Sequence, residues 1–307
     1  MVSEISKAYV MLEENAATMP VRTVSDMGEG NPLIFYKPSC ENASSEVAVK
    51  LLCQLKETSL KGYPTIQGLV ILFDGIKNNI LSIMDGRSIT SMRTGAASGL
   101  ATKLLAREDA EVLAVFGAGA QAYTQIKAVL AVRDIKKVIV FDLFDKAVER
   151  LINYFSYLKD VEFVKGTDIS MLKEADVVCT VTNSKKALFK TEDLKEGVHV
   201  NAIGSFKQDM REMPDDLYVG ASLYVDHKES CFSESGDIIV PLSKKLISEE
   251  DYKGEISQLI KGEIQGRDSR TRRTVFKSVG IATQDLVAAQ FIYKKAMADN
   301  FGQDVDL

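Results

Sequence analysis

The sequence holds little of what hydrolases and metalloproteins are built from. It contains two histidines, His199 and His227, and four cysteines, Cys40, Cys53, Cys179 and Cys231. Histidine is the commonest general base, so this scarcity argues against Ser-His-Asp hydrolysis and points toward lysine, aspartate or a cofactor. The cysteines form no C-x-x-C pair and share no ligand spacing with a histidine, which argues against a protein-built metal site and for free thiols in a reducing compartment. No apolar run approaches the ~20 residues of a membrane-spanning helix. The segment Met1–Pro20 carries Glu4, Lys7, Glu13 and Glu14 where a signal peptide would be apolar. A cytoplasmic location is expected. Basic excess is also missing: 38 Lys and Arg against 43 Asp and Glu give a net charge of −5. Neither a nucleic acid nor an anionic membrane finds its electrostatic footprint there. The one basic stretch, Arg267-Asp-Ser-Arg-Thr-Arg-Arg273, reads as a solvated loop.

What is present is an ordinary globular composition, 46% hydrophobic and 26% charged, over a length of 307 residues that suits two moderate domains. From Val112 onward short apolar runs alternate with helical patterns. Strands are expected over Val112–Phe116, Lys137–Phe141, Val161–Val164, Asp176–Val181 and Val198–Ile203, with helices over 119–131 and 145–158. That alternation means a parallel α/β sheet with right-handed crossovers. The first hundred residues differ. Gln67–Phe73 and Asn79–Met84 read as an antiparallel hairpin with a turn begun by Asp74 and Gly75. An alanine-rich helix from about Ser88 to Ala106 follows, able to pack closely through Gly95 and Gly99. The last helix, about Ile281 to Ala298, comes after the parallel sheet is complete and could return to the first domain. The expected division is residues 1–108 plus 281–307, and residues 109–280.

Gly117-Ala-Gly119-Ala120-Gln121-Ala122 matches G-x-G-x-x-A directly after a strand and at the start of a helix. Gly117 allows the tight turn, Gly119 lets the backbone approach a pyrophosphate, and Ala122 permits close helix–strand packing. The next strand ends at Asp142, placed to bind the adenosine ribose hydroxyls. An acid there repels a ribose 2′-phosphate and Leu143 offers no cation, so NAD is the expected cofactor. Lys146 nearby keeps NADP as the alternative.

Asp85-Gly-Arg87, Ile89-Thr90, Arg93-Thr-Gly-Ala-Ala97 and Phe116-Gly-Ala-Gly-Ala-Gln121 together resemble the ornithine cyclodeaminase/mu-crystallin family. The resemblance continues through Asn201-Ala-Ile-Gly204, Glu234-Ser-Gly-Asp237, Thr274-Val-Phe-Lys-Ser-Val-Gly280 and Asp285. It implies a Rossmann dinucleotide-binding domain with a smaller α/β substrate-binding and dimerisation domain, hence a homodimer. It also implies a small amino or imino acid handled beside a bound nicotinamide. By position, Arg22 and Lys50 match substrate-contacting residues, and Thr65 a cofactor-contacting threonine. Arg93 and Thr94 match the pair near the pyrophosphate and the substrate. Ala120, Gln121, Asp142, Thr182, Ala202, Ile203 and Ser278 match cofactor contacts. The chemistry of the residues agrees: arginine binds a carboxylate bidentately, and a desolvated lysine can move a proton at the reacting nitrogen.

One departure bears on the reaction. The cyclodeaminases carry an aspartate two residues past the glycine that matches Gly204, and here that position is Phe206. Asp209, in Asp209-Met-Arg-Glu212, resembles instead the segment of the mu-crystallin-like reductases and is a further candidate acid. The expected activity is that of a ketimine reductase or alanine dehydrogenase. The alternatives are a lyase that recycles bound NAD, and a ligand-binding protein without catalysis.

Overall fold

The computed structural model describes residues 1–20, 23–28, 31–55 and 65–306. They form two compact units: one runs from Ser3 to Arg93 and resumes at Ile281, the other is Thr94–Gly280. The division falls inside helix α2 (Gly86–Leu105), not after it at residue 108 as the sequence suggests. A continuous helix carries no linker composition, so nothing in the sequence marks the change. Among the described residues no helix is long and apolar enough to cross a membrane.

The first unit begins with helix α1 (Val2–Glu13). Its six-stranded antiparallel sheet comprises β1 (Ala17–Thr18), β2 (Thr23–Asp26), β3 (Leu33–Glu41), β4 (Glu46–Gln54), β5 (Ile66–Asp74) and β6 (Asn79–Asp85). The order is β1-β3-β4-β5-β6, with β2 also on β3. At the β5–β6 turn the Asp74 carboxylate accepts from the amides of Ile76 and Lys77, and Asn78 takes the left-handed conformation with φ 54°. Alternation sets the two faces of the sheet. Inward, Ala48, Val70 and Leu72 pack with Leu286, Ala288 and Ala289 of helix α8 (Ala282–Ala298). Outward, Tyr36, Leu51 and Leu69 stand directly opposite one another, and beside them Pro38, Val49, Ile71 and Ile83 form a second row. Tyr36, Leu51, Leu69 and Ile83 are exposed, so the outer face is a contiguous apolar surface.

The second unit is an eight-stranded parallel sheet. In chain order its strands are β7 (Val112–Phe116), β8 (Lys137–Phe141), β9 (Glu162–Lys165), β10 (Val177–Thr180), β11 (His199–Ala202), β12 (Ser222–Val225), β13 (Tyr252–Glu255) and β14 (Thr274–Lys277). They lie in the order β13-β12-β14-β11-β10-β7-β8-β9. Strands β10, β11, β12 and β14 are buried along their whole length, as strands covered on both faces must be. Helix α3 (Ala120–Leu130) follows β7, helix α4 (Asp145–Tyr154) follows β8, helices α5 (Lys228–Glu234) and α6 (Gly236–Ser243) follow β12, and helix α7 (Ile256–Lys261) follows β13. A Cβ on Gly95 would lie 2.5 Å from the Thr124 carbonyl oxygen, and one on Gly99 would lie 2.9 Å from the Ala128 Cβ, so α2 and α3 meet through those glycines. Strands are added outward from β7 first on one side, through β8 and β9, and then on the other, from β10, giving a doubly wound sheet with its switch point between β7 and β10.

Candidate active site

The first unit carries its chemistry on the inner sheet face and the first turn of α8. Lys37 and Lys50 face each other across β3 and β4. Like charges so placed repel, and the Asp285 carboxylate from α8 answers them. Lys50 Nζ lies 2.7 Å from Asp285 Oδ1 and 2.6 Å from Oδ2, with both side chains only 1% exposed. Arg93 Nε lies 3.2 Å from Asp285 Oδ1. Burial pushes the Asp285 carboxyl up, but the charges of Lys50, Arg93 and Lys37 outweigh it and hold the group below its ordinary value. Gln284 fixes the arginine. Its Oε1 accepts from Arg93 Nη1 at 2.7 Å and from the Ile281 amide at 3.1 Å, while its Nε2 donates to the Tyr9 hydroxyl at 2.5 Å. The result is a buried cluster in which Lys50 and Arg93 share one carboxylate. Arg22 lies outside the described residues, and Thr65 is half-buried at the start of β5.

The second unit has the shape a dinucleotide needs. Gly117 has φ 97°, and a Cβ there would lie 2.9 Å from the Val181 carbonyl oxygen, so only glycine fits where the loops after β7 and β10 meet. A Cβ on Gly119 would meet nothing within 4 Å. Gly119 and Ala120 are exposed, α3 has no side-chain cap, and the buried Gln121 Oε1 has no partner. An open cradle with unclaimed amides is what a pyrophosphate fills. Asp142 accepts from the Ala118 amide at 2.6 Å and the Phe144 amide at 2.9 Å, which ties the end of β8 to the glycine loop. Ala202, Ile203 and Ser278 are buried at the ends of β11 and β14. The Ser278 hydroxyl donates to Asp226 Oδ2 at 2.6 Å, and that oxygen also accepts from the Gly280 amide at 2.7 Å. Thr94 is buried as well.

One sequence reading changes. Asp209 is 60% exposed and paired with Lys185 at 2.6 Å, and the hydrogen bond from Lys185 holds its carboxyl below the ordinary value. A solvent-facing acid that is already ionised has no proton to give near neutrality, so it leaves the candidate set. The acid that counts in that motif is Glu212, fully buried, whose carboxylate accepts from Thr180, Thr182 and Gly204. Burial and the Asp237 carboxylate push its carboxyl up. The cysteines are all free, and burial pushes the Cys179 thiol up to about 12, which makes it inert. Phe206 is half-buried against the core of the second unit.

A doubly wound dinucleotide sheet, joined in one chain to a unit with a buried lysine–arginine–aspartate cluster, defines a class of nucleotide-linked enzymes acting on small acids. The chain belongs to the ornithine cyclodeaminase/mu-crystallin family, whose profile matches residues 1–300. It is 34% identical over 310 residues to a Delta(1)-pyrroline-2-carboxylate reductase of Bacillus cereus, covering 98% of this chain and 94% of that one. It is 36% identical over 250 residues to an alanine dehydrogenase of Archaeoglobus fulgidus, covering 80% and 75%. Among solved structures, Thermococcus litoralis Delta(1)-pyrroline-2-carboxylate reductase in complex with NADH and L-proline superposes with a TM-score of 0.94, at 33% identity over 99% of this chain and 94% of that chain.

Proposed function

We propose that the protein is an NAD(H)-dependent oxidoreductase acting at the C–N bond of a small 2-amino or 2-imino acid, working as a cytoplasmic homodimer. Its first substrate to test is a cyclic ketimine carboxylate of the pyrroline-2-carboxylate type. The observation that carries the reading is the burial of Lys50 and Arg93 around the single carboxylate of Asp285. Lys37, Lys50 and Arg93 gather around that carboxylate in a dry place, where a cation holds a further anion strongly. A substrate carboxylate is that anion. Arg93, held by Gln284, offers it a planar fork, and Arg22 is the second arginine the family resemblance supplies. Lys50, fixed by Asp285, manages the proton at the substrate nitrogen.

The residues of the second unit fit the dinucleotide in the same way. The amides at Gly119, Ala120 and Gln121 take the pyrophosphate, Asp142 takes the adenosine ribose, and the strand ends at Thr182, Ala202, Ile203 and Ser278 line the other half, with Thr94 as a further contact. When bound, the nicotinamide supplies or accepts the hydride, and the protein contributes position and charge. Phe206 can neither activate water nor bind a terminal ammonium, which favours reduction over cyclodeamination.

The test is NADH oxidation with preformed cyclic imines and with pyruvate plus ammonia. Ammonia release from ornithine without net NADH would point to the lyase instead, and binding of NADH without turnover of anything would leave a ligand-binding protein. The dimer is carried by the outer sheet face, whose apolar rows a second copy would cover. Sedimentation should show a dimer that Leu51→Glu dissociates; a wild-type monomer would refute it.

A further inference from the structure

Glu212 ends a motif whose first acid proved to be a surface charge, and its own surroundings are unlike those of a surface residue. Oε1 accepts from the Thr182 amide at 2.6 Å and the Thr182 hydroxyl at 2.8 Å. Oε2 accepts from the Thr180 hydroxyl at 2.7 Å and the Gly204 amide at 2.7 Å. Thr180 and Thr182 leave the end of β10, and Gly204 leaves the end of β11, its neighbour in the sheet. A Cβ on Gly204 would lie 2.4 Å from the Thr182 carbonyl oxygen and 2.5 Å from Glu212 Oε1, so the two loops touch around this carboxylate. Glu212 is itself anchored: its amide and that of Met213 donate to Asp237 Oδ1 at 2.8 and 3.0 Å, and Lys277 Nζ lies 3.2 Å from Asp237 Oδ2.

In a doubly wound sheet the two halves of a dinucleotide lie on opposite sides of the switch point. With that point between β7 and β10, the adenosine half belongs over β7 and β8 and the nicotinamide half over β10 and β11. We infer that Glu212 is a positioning residue for the nicotinamide half, joining the loops after β10 and β11 into one rigid floor without touching the cofactor. The inference rests on the cofactor reading proposed above. Its chemistry is specific to a carboxylate. Each oxygen faces one backbone N–H that cannot turn away, so an amide in its place sets an NH₂ against an N–H in either orientation.

The experiment compares NADH with ADP-ribose, which lacks the nicotinamide, by titration calorimetry on the full-length protein. Glu212→Gln should raise the NADH dissociation constant about 10- to 100-fold, the range for a hydrogen bond to a charged group, and leave the ADP-ribose constant unchanged. Thr180→Val removes one donor with almost no change of shape; it should shift NADH binding in the same direction by less, and it decides the matter if Glu212→Gln does not fold. A loss shared equally by both ligands, or by neither, overturns the inference while wild-type binding leaves the cofactor reading intact. Failure of the wild type to bind either ligand overturns both.

Discussion

Each unit buries a cluster of charges, and the two clusters are satisfied by different means. In the parallel-sheet unit Glu212 and Asp237 stand near the single ammonium of Lys277, and the negative excess is met by amides and hydroxyls of the surrounding loops. Those donors belong to the fold, so the cluster is complete without a ligand. In the antiparallel-sheet unit the positive charge around Asp285 comes from Lys50, Arg93 and Lys37. It resides on long side chains that a carboxylate from outside can meet. A closed cluster stiffens what lies above it, whereas an open one recognises something. The same residue types, buried to the same degree, thus do different work according to which sign is in surplus and whether the backbone supplies the balance.

Breaking the open cluster should give the largest effect on stability. Asp285→Ala removes the carboxylate that Lys50 and Arg93 share, and the loss should be about 3–5 kcal/mol, the usual result of removing one partner from a buried pair. Urea unfolding measures it; a loss below about 1 kcal/mol would mean that solvent reaches the cluster. Asp142→Ala probes the cofactor side, where the carboxylate is half-buried and tied to the glycine loop. It should weaken NADH binding by about 1.5–3 kcal/mol and narrow the preference over NADPH. Tighter NADPH than NADH binding by the wild type would contradict the assignment of this strand end.

The smallest effect comes from His199, buried in β11 between Thr274 Oγ1 at 3.0 Å and Asn201 Oδ1 at 3.2 Å. Burial, with Arg267 nearby, lowers its pKa from 6.5 to about 3. The unfolded chain therefore takes up a proton below pH 6.5 that the folded chain refuses, and stability present above that pH is lost as pH falls. The loss should be about 1.4 kcal/mol between pH 7.5 and 5.5, and urea midpoints for His199→Phe should lack that share of the slope. An unchanged slope would mean that the ring takes up its proton equally in the folded and the unfolded chain.

Much of this was legible in the sequence, for physical reasons. Strand β7 with Gly117, Gly119 and Asp142 shows itself because a buried parallel strand is a continuous apolar run and the glycines follow it at once. The first sheet was legible only at its last hairpin. Strands β3 and β4 carry apolar residues on both faces, with Lys37 and Lys50 among the inward ones, so no clean alternation marks them as strands covered on one face. Lys50 and Arg93 were singled out only through the family resemblance. Glu212 was passed over for Asp209, three residues earlier, because a motif does not say which of its acids turns inward. Gln284 and Tyr9 meet from opposite ends of the chain, and no local signal joins them.

The claim that the open cluster is the seat of the chemistry is tested most directly at Lys50. With NADH and a cyclic imine as substrates, Lys50→Met should leave NADH binding nearly intact and lower kcat by about 10²–10⁴-fold, the range of general acid–base contributions. Lys50→Arg should fail to restore it, because a guanidinium holds its proton too firmly to act as an acid. Near-normal kcat in Lys50→Arg would contradict the account and reduce the lysine to a charge that holds the carboxylate.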